Sequence, residues 1–224
     1  MQLAIDTSTD MASIALVHDD KIIAELTWHS GQNHTTQLLP HVNYLMDKFS
    51  IKDIDGIFVA KGPGSFNGLR VGVSTAKGLA FSLGIPIVGI GTLEADAYQH
   101  AETGLPICPI FNAGRGEVAT AVYRMLGRRW RQLRPEYITT MDALCAETTA
   151  RTLFCGDYVA CVAPQLRDAL GRKAIISTPV ASLRRASLLA ELGQPRFKAG
   201  DCDNPAALQP IYLRRPPITE RKHR

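Results

Sequence analysis

Apolar positions along this chain follow two rhythms, one of period two and one of three to four. Positions 3–5, 13–17 and 22–27 alternate or run apolar around a polar turn at 18–21, which predicts a three-stranded meander. After the polar stretch 28–36, residues Leu38, Leu39, Val42, Leu45, Met46 and Phe49 recur on one broad face. They predict a helix over 35–49, with Thr35 or Thr36 as its cap. A strand at 56–60, a glycine-rich turn and its helix, a strand at 87–90 and a helix from Thr92, its predicted cap, to about residue 100 complete the first half.

The order then recurs. Gly104 and Pro106 punctuate a restart, followed by strands at 107–112, 117–123 and 129–137 with a turn near Gly127 and a short helix after Thr140. A strand at 152–155, a helix around 164–170, a strand at 173–176 and a helix at 183–192 close the series. Both halves read β-β-β-α-β-α-β-α, a repeat of element order without visible sequence similarity. This predicts an α/β protein of two lobes, residues 1–103 and 104–224, each a mixed sheet with helices packed on it, and a cleft between them. Residues 195–224 read as irregular, with a basic frayed tail at 221–224.

The stretch 61–80 carries the sharpest local pattern. Gly62 and Gly64 permit backbone angles closed to other residues, Pro63 fixes its own φ, and Ser65 or Asn67 can cap the helix that follows. Leu69, Val73, Ala76, Ala80 and Leu83 line one face of that helix, and Gly84 and Pro86 end it. Gly72, Ala76, Gly78 and Ala80 are small, so a second backbone can approach closely. The turn is neither a Walker A sequence nor G-x-G-x-x-G, and neither Lys61 nor Lys77 sits where a phosphate-binding lysine would. A structural turn is the preferred reading over a phosphate cradle.

Composition narrows the class. The 224 residues, 46% of them hydrophobic, suffice for one large or two small cores. No apolar run reaches the roughly 18 to 20 residues that span a bilayer, and the start shows no leader, so a cytoplasmic location is expected. Five widely spaced cysteines without a C-x-x-C pair read as reduced thiols. Net charge is +4, yet residues 1–100 hold 6 basic against 10 acidic side chains and residues 101–224 hold 19 against 11. A basic half beside an acidic one is compatible with a polyanion partner.

Three clusters invite chemistry. Asp6, Thr7, Ser8 and Thr9 end a strand in a turn that can present hydroxyls and amides to a phosphate and a carboxylate to a metal, or can bond its own backbone. His29, His34 and His41 lack the i, i+3 or i, i+4 spacing of a helical metal pair. Arg124, Arg128, Arg129, Arg131 and Arg134 surround a predicted turn with Trp130 among them. They can contact RNA phosphates or form an exposed hairpin whose tryptophan packs inward. The segment 210–216 reads as an anchoring extension, with Tyr212 and Leu213 against a lobe and Arg214 paired to a carboxylate.

Taken together, DTST at 6–9, HTTQLLP at 34–40, GPGSFNGLRVGVSTAKGLA at 62–80 and PIYLRRP at 210–216 resemble the TsaB (YeaZ) family. That family is the non-catalytic paralogue of TsaD in placing a threonylcarbamoyl group on adenosine 37 of tRNAs that read codons beginning with A. The resemblance implies the two-lobed fold shared by actin, Hsp70 and sugar kinases (the ASKHA fold), and a scaffold that supplies no chemistry itself. TsaD would be its partner, with TsaE and tRNA joined through the complex, and ATP and a metal ion would be held by those partner subunits. TsaD carries an H-x-x-x-H pair on its first long helix, whereas the helix predicted here at 35–49 has only His41.

The resemblance further implies docking through first-lobe helices. It points to Leu38, Leu39, Val42, Leu45, Met46, Phe49, Leu69, Val73, Ala76, Lys77 and Ala80, and to a homodimer through the same surface. It leaves Gly62, Pro63, Gly64, Ser65 and Asn67 as a structural turn and Asp6 to Thr9 as a vestigial phosphate-type loop. Asn67 replaces the family's usual threonine, Asn112-Ala-Gly-Arg115 replaces its Asp-Ala-Arg-Arg, and Ala119 stands where an aromatic is usual. A small-molecule kinase of this fold and a glycoprotease-type peptidase are the alternative classes.

Overall fold

The computed structural model describes residues 1–214. Arg215, Pro216 and the basic tail at 221–224 lie outside the described residues. Strands β1 (Gln2–Asp6), β2 (Met11–His18) and β3 (Lys21–His29) form the meander, followed by α1 (His34–Leu45), β4 (Gly56–Gly62), α2 (Phe66–Leu83), β5 (Ile87–Gly91) and α3 (Thr92–Tyr98). The second series is β6 (Ile107–Gly114), β7 (Glu117–Leu126), β8 (Arg129–Thr140), α4 (Met141–Glu147), β9 (Thr152–Cys155), α5 (Val159–Leu170), β10 (Ala174–Ile176) and α6 (Ser187–Lys198). The order β-β-β-α-β-α-β-α therefore occurs twice. The strand orders, β3-β2-β1-β4-β5 and β8-β7-β6-β9-β10, match each other position for position.

Period-two alternation sorts each strand between two cores. Leu3, Ile5, Ile14, Leu16, Ile57 and Val59 face α1 and α2, whereas Ala4, Ala15, Val17, Phe58 and Ala60 face α6. In the second sheet Cys108, Ile110, Val118 and Phe154 face α4 and α5, and Ile107, Phe111, Ala121 and Leu153 face α3. The layers are thus helix, sheet, helix, sheet, helix, with α3 and α6 in the middle.

Those two central helices exchange places. α3 closes the first series but buries Leu93 and Ala97 against the second sheet, while α6 closes the second and buries Leu189 and Ala190 against the first. The tail follows α6 home. Asp203 bridges to Ile87, Leu208 enters the first core, and Ile211 N donates to Lys61 O at 2.6 Å. Dividing the chain at 103/104 therefore assigns α6 and residues 201–211 to the lobe they do not pack on.

Several local expectations are corrected by hydrogen bonding. α1 begins at His34 with Asn33 before it and no side-chain cap, because Thr36 Oγ1 donates to Asn33 O instead. Thr92 lies inside α3, and its hydroxyl accepts from Gly62 N at 3.1 Å. α5 starts five residues before the position predicted for it. α6 runs from Ser187 to Lys198 and not over 183–192, since Leu183 and Arg184 are spent on the turn before it. Ser65 does cap α2, accepting from Gly68 N, and Gly84 ends it in the left-handed conformation (φ 66°).

Candidate functional site

The small residues of α2 and its turn receive the chain's own first loop. A Cβ built on Gly64 would lie 2.2 Å from Ser8 O, one on Gly68 2.0 Å from Thr7 O, and one on Gly72 2.2 Å from Thr7 Oγ1. Glycine is required there by close approach. Ser65 N donates to Ser8 O at 2.6 Å and Thr7 Oγ1 donates to Gly68 O at 2.7 Å, so the turn after β1 is stitched to the start of α2. Gly78 faces open space instead.

Under that turn lies a residue the sequence did not single out. Arg184 is 1% exposed and holds Asp6 Oδ2 at 3.0 Å through Nη1, Asp96 Oδ2 at 3.5 Å through Nη2 and Asp157 Oδ2 at 3.4 Å through Nε. Its Nε also donates to Thr9 Oγ1 at 3.0 Å, and its guanidinium stacks on the Phe111 ring at 4.7 Å. Burial pulls its pKa down, but Asp96, Asp157 and Asp6 together outweigh burial and raise it above the ordinary value. Burial likewise pushes the Asp96 carboxyl up to about 7, against the attraction of Arg184, and its Oδ2 makes no hydrogen bond.

This arrangement does not fit a phosphate or a metal at Asp6 to Thr9. Asp6 Oδ2 is taken by the guanidinium, Asp6 Oδ1 accepts from Ser8 N and Ser8 Oγ, and Thr7 and Thr9 hydroxyls are bonded within the protein. A cation built into the fold already satisfies the loop. Among the described residues no group of three metal-binding side chains occurs. His34 is buried with Nε2 2.8 Å from Thr9 O, His41 stacks on Trp28 at 4.3 Å, and His29 faces solvent.

Above the guanidinium the lobes enclose a cleft of about 650 Å³, lined by Thr9, Asp10 and Met11 from one side and Phe111, Asp157 and Tyr158 from the other. A second hollow of about 460 Å³ adjoins it at Gly64, Phe111 and Asn112. Ala119, Ile138, Tyr212 and Leu213 line that hollow. The Asn112 side chain accepts from Gly114 N, and Arg214 pairs with Glu117 and donates to Ala113 O, so the extension is anchored to the second lobe. Tyr212 meets Phe66 at 5.2 Å.

The helix residues expected at a partner surface divide. Leu38, Val42, Leu45, Met46, Leu69, Val73, Ala76 and Ala80 are all below 10% exposed and face the first sheet, which takes the central stripe of each helix. Lys77 is committed to Ala206 O and Leu208 O. Leu39 and Phe49 remain exposed, at 49% and 40%, and beside them stand Tyr44 at 73% and Phe81 at 85%. The signal that could have found Tyr44 and Phe81 is their position opposite the core stripes.

The arginine hairpin also divides. Arg124 donates to Gly104 O and Arg134 pairs with Glu147, while Arg128, Arg129 and Arg131 are exposed. Trp130 packs inward, stacked on Tyr123 at 5.6 Å and edge-on to Tyr98 at 5.2 Å. No described helix is long and apolar enough to cross a membrane.

Against known proteins, the sequence profile described as "TsaD: tRNA N6-adenosine threonylcarbamoyltransferase" matches residues 22–200. The chain is 36% identical over 217 residues to the tRNA threonylcarbamoyladenosine biosynthesis protein TsaB of Bacillus subtilis, covering 95% of this chain and 93% of that one. Among solved structures, a Pseudomonas aeruginosa protein with similarity to peptidase YeaZ superposes with a TM-score of 0.78 at 24% identity, covering 95% of this chain and 99% of that one. Component A of the (R)-2-hydroxyglutaryl-CoA dehydratase of Acidaminococcus fermentans superposes with a TM-score of 0.50 at 11% identity, over 85% and 96% of the two chains. The architecture is the two-lobed actin-like ASKHA fold.

Proposed function

The chain belongs to the TsaB family of tRNA threonylcarbamoyladenosine biosynthesis proteins, and from that premise we propose that it acts as the scaffold that docks and activates a TsaD-type transferase. The observation that carries this reading is the pairing of a plugged loop with an unpartnered helix face. Arg184 satisfies the carboxylate a nucleotide-bound metal would use, which leaves this chain shape and surface to contribute. Leu39, Tyr44, Phe49 and Phe81 project from α1, its following turn and α2, and an aromatic exposed at 85% is a natural anchor for a partner helix. Ser74 and Gly78, both exposed on α2, leave room for close helix contact.

On this reading the same face pairs two copies of the chain when the transferase is absent. TsaE joins through the pair, with ATP and the metal ion on the partner subunits, and tRNA reaches this chain at Arg128, Arg129 and Arg131. Nothing in the site favours a kinase or a peptidase, since the loop hydroxyls and Asp6 are all bonded internally.

The test is co-purification and calorimetry with the cognate transferase. Phe81→Glu and Tyr44→Glu should each abolish the complex while leaving the thermal midpoint of the isolated chain unchanged. Loss of Phe81 alone to alanine removes about 2 kcal/mol of burial, or roughly 30-fold in affinity. A complex that survives both charged variants overturns this surface.

A further inference from the structure

The cleft between the lobes has an electrostatic character opposite to the one a nucleotide needs. Its volume of about 650 Å³ is that of a small-molecule site. Two carboxylates stand on its wall, Asp10 from the β1–β2 turn and Asp157 from the β9–α5 turn, and the lining holds no lysine or arginine, with His29 as its one basic side chain. Arg184 lies beneath but is buried, and it is shared among three carboxylates, so it offers no free positive charge.

The helix starts at the cleft do not reverse this. Ser65 N is bonded to Ser8 O, Tyr158 N to Ile110 O and Val159 N to Gly156 O, which spends donors that could have cradled an anion. Asp10 is exposed and forms no ion pair among the described residues. Met11, Phe111, Tyr158 and Leu183 give the cleft apolar and aromatic surface that suits the body of an organic cation, beside the polar side chains of His29, Asn112, Ser177 and Ser182. Phe111 already stacks with one guanidinium, that of Arg184.

We propose that this cleft binds an organic cation, a guanidinium, amidinium or ammonium group on an apolar stem, held by the carboxylates of Asp10 and Asp157 with its body against Phe111 and Met11. Because Asp10 and Asp157 come from different lobes, the ligand bridges them. A free small molecule and an arginine side chain of a peptide carry the same group. The site is separate from the helix face assigned to docking and does not depend on it.

Titration calorimetry of the full chain tests the proposal with benzamidine and agmatine, benzamide as the neutral counterpart of benzamidine, magnesium ATP as the anionic probe, and N-acetylarginine amide. The cationic probes should saturate with Kd below about 1 mM, and Asp10→Asn and Asp157→Asn should each weaken them about ten-fold. Asp10→Asn, on an exposed turn, keeps the test interpretable if Asp157→Asn loosens the Arg184 cluster. Tighter binding of N-acetylarginine amide than of agmatine identifies a peptide arginine as the source, and the reverse a free molecule. Benzamide or magnesium ATP binding as tightly as benzamidine overturns the proposal. So does an absence of saturation by every cationic probe, or an affinity that Asp10→Asn leaves unchanged.

Discussion

Arg184 Nη1 donates to Asp6 Oδ2 across 3.0 Å, joining residues 178 positions apart in the sequence. One is the last residue of β1 and the other precedes α6, so the pair ties the returning helix to the first strand. Asp157, from the second lobe, accepts from the same guanidinium. Arg184 is therefore both a filler of the loop and a pin between lobes.

Removing that pin leaves three carboxylates facing one another without a counter-charge. Arg184→Met should destabilise the isolated chain by about 3–5 kcal/mol, the range for breaking a buried pair from one side. Urea unfolding followed by circular dichroism reads it. Adding Asp6→Asn to Arg184→Met should recover part of the loss; a double variant less stable than Arg184→Met would contradict the charge argument.

Asp96 gives the stability a pH dependence of definite sign. Its folded pKa is raised from 3.8 to about 7, chiefly by burial, so between those values the folded protein binds more protons than the unfolded chain. Its contribution is then a stability that falls as pH rises from about 4 to about 7 and levels above, with a limiting slope of about 1.4 kcal/mol per pH unit. Asp96→Asn should remove that slope. Parallel pH profiles for the two proteins would show that Asp96 is ionised throughout.

Two glycines on one helix should respond in opposite directions. Gly68→Ala puts a Cβ against a backbone oxygen of Thr7 that cannot retreat without tearing the β1 turn from α2, at a cost of about 2–4 kcal/mol. Gly78→Ala meets nothing and should stabilise the helix by about 0.5–1 kcal/mol. Thermal melts of both variants settle the pair, and equal destabilisation would remove the assignment of α2's inner face.

The exposed arginines should act on tRNA through charge. In the assembled complex, changing Arg128, Arg129 and Arg131 together to alanine should flatten the salt dependence of tRNA affinity by up to about 3 in log–log slope. Arg134→Ala should instead cost stability through Glu147 and Tyr137 and leave the slope unchanged. An unaltered slope in the triple variant places tRNA elsewhere.

Much of the fold was legible because its signals are local. The two series of strands and helices, the Ser65 cap and the Gly84 stop follow from apolar period and capping chemistry within a few residues. The family was legible from the stretch 62–80, where the glycines are needed to admit the backbone of Thr7 and Ser8. The helix faces were not, because the apolar stripe of 35–49 is wider than one contact requires, and periodicity does not say which part of it a sheet will take.

The sequence by itself determined the elements, their order and the kinship of the chain, since each rests on neighbours in the chain or on a run of quoted residues. Only the tertiary structure decided the exchange of α3 and α6, the burial of Leu38 and Val73, and the guanidinium of Arg184 at Asp6. Those depend on contacts between residues up to 178 positions apart. Local propensity cannot encode which of many arginines and carboxylates will meet. The packing of two sheets around two central helices brings one arginine and three aspartates together, and burial holds them there.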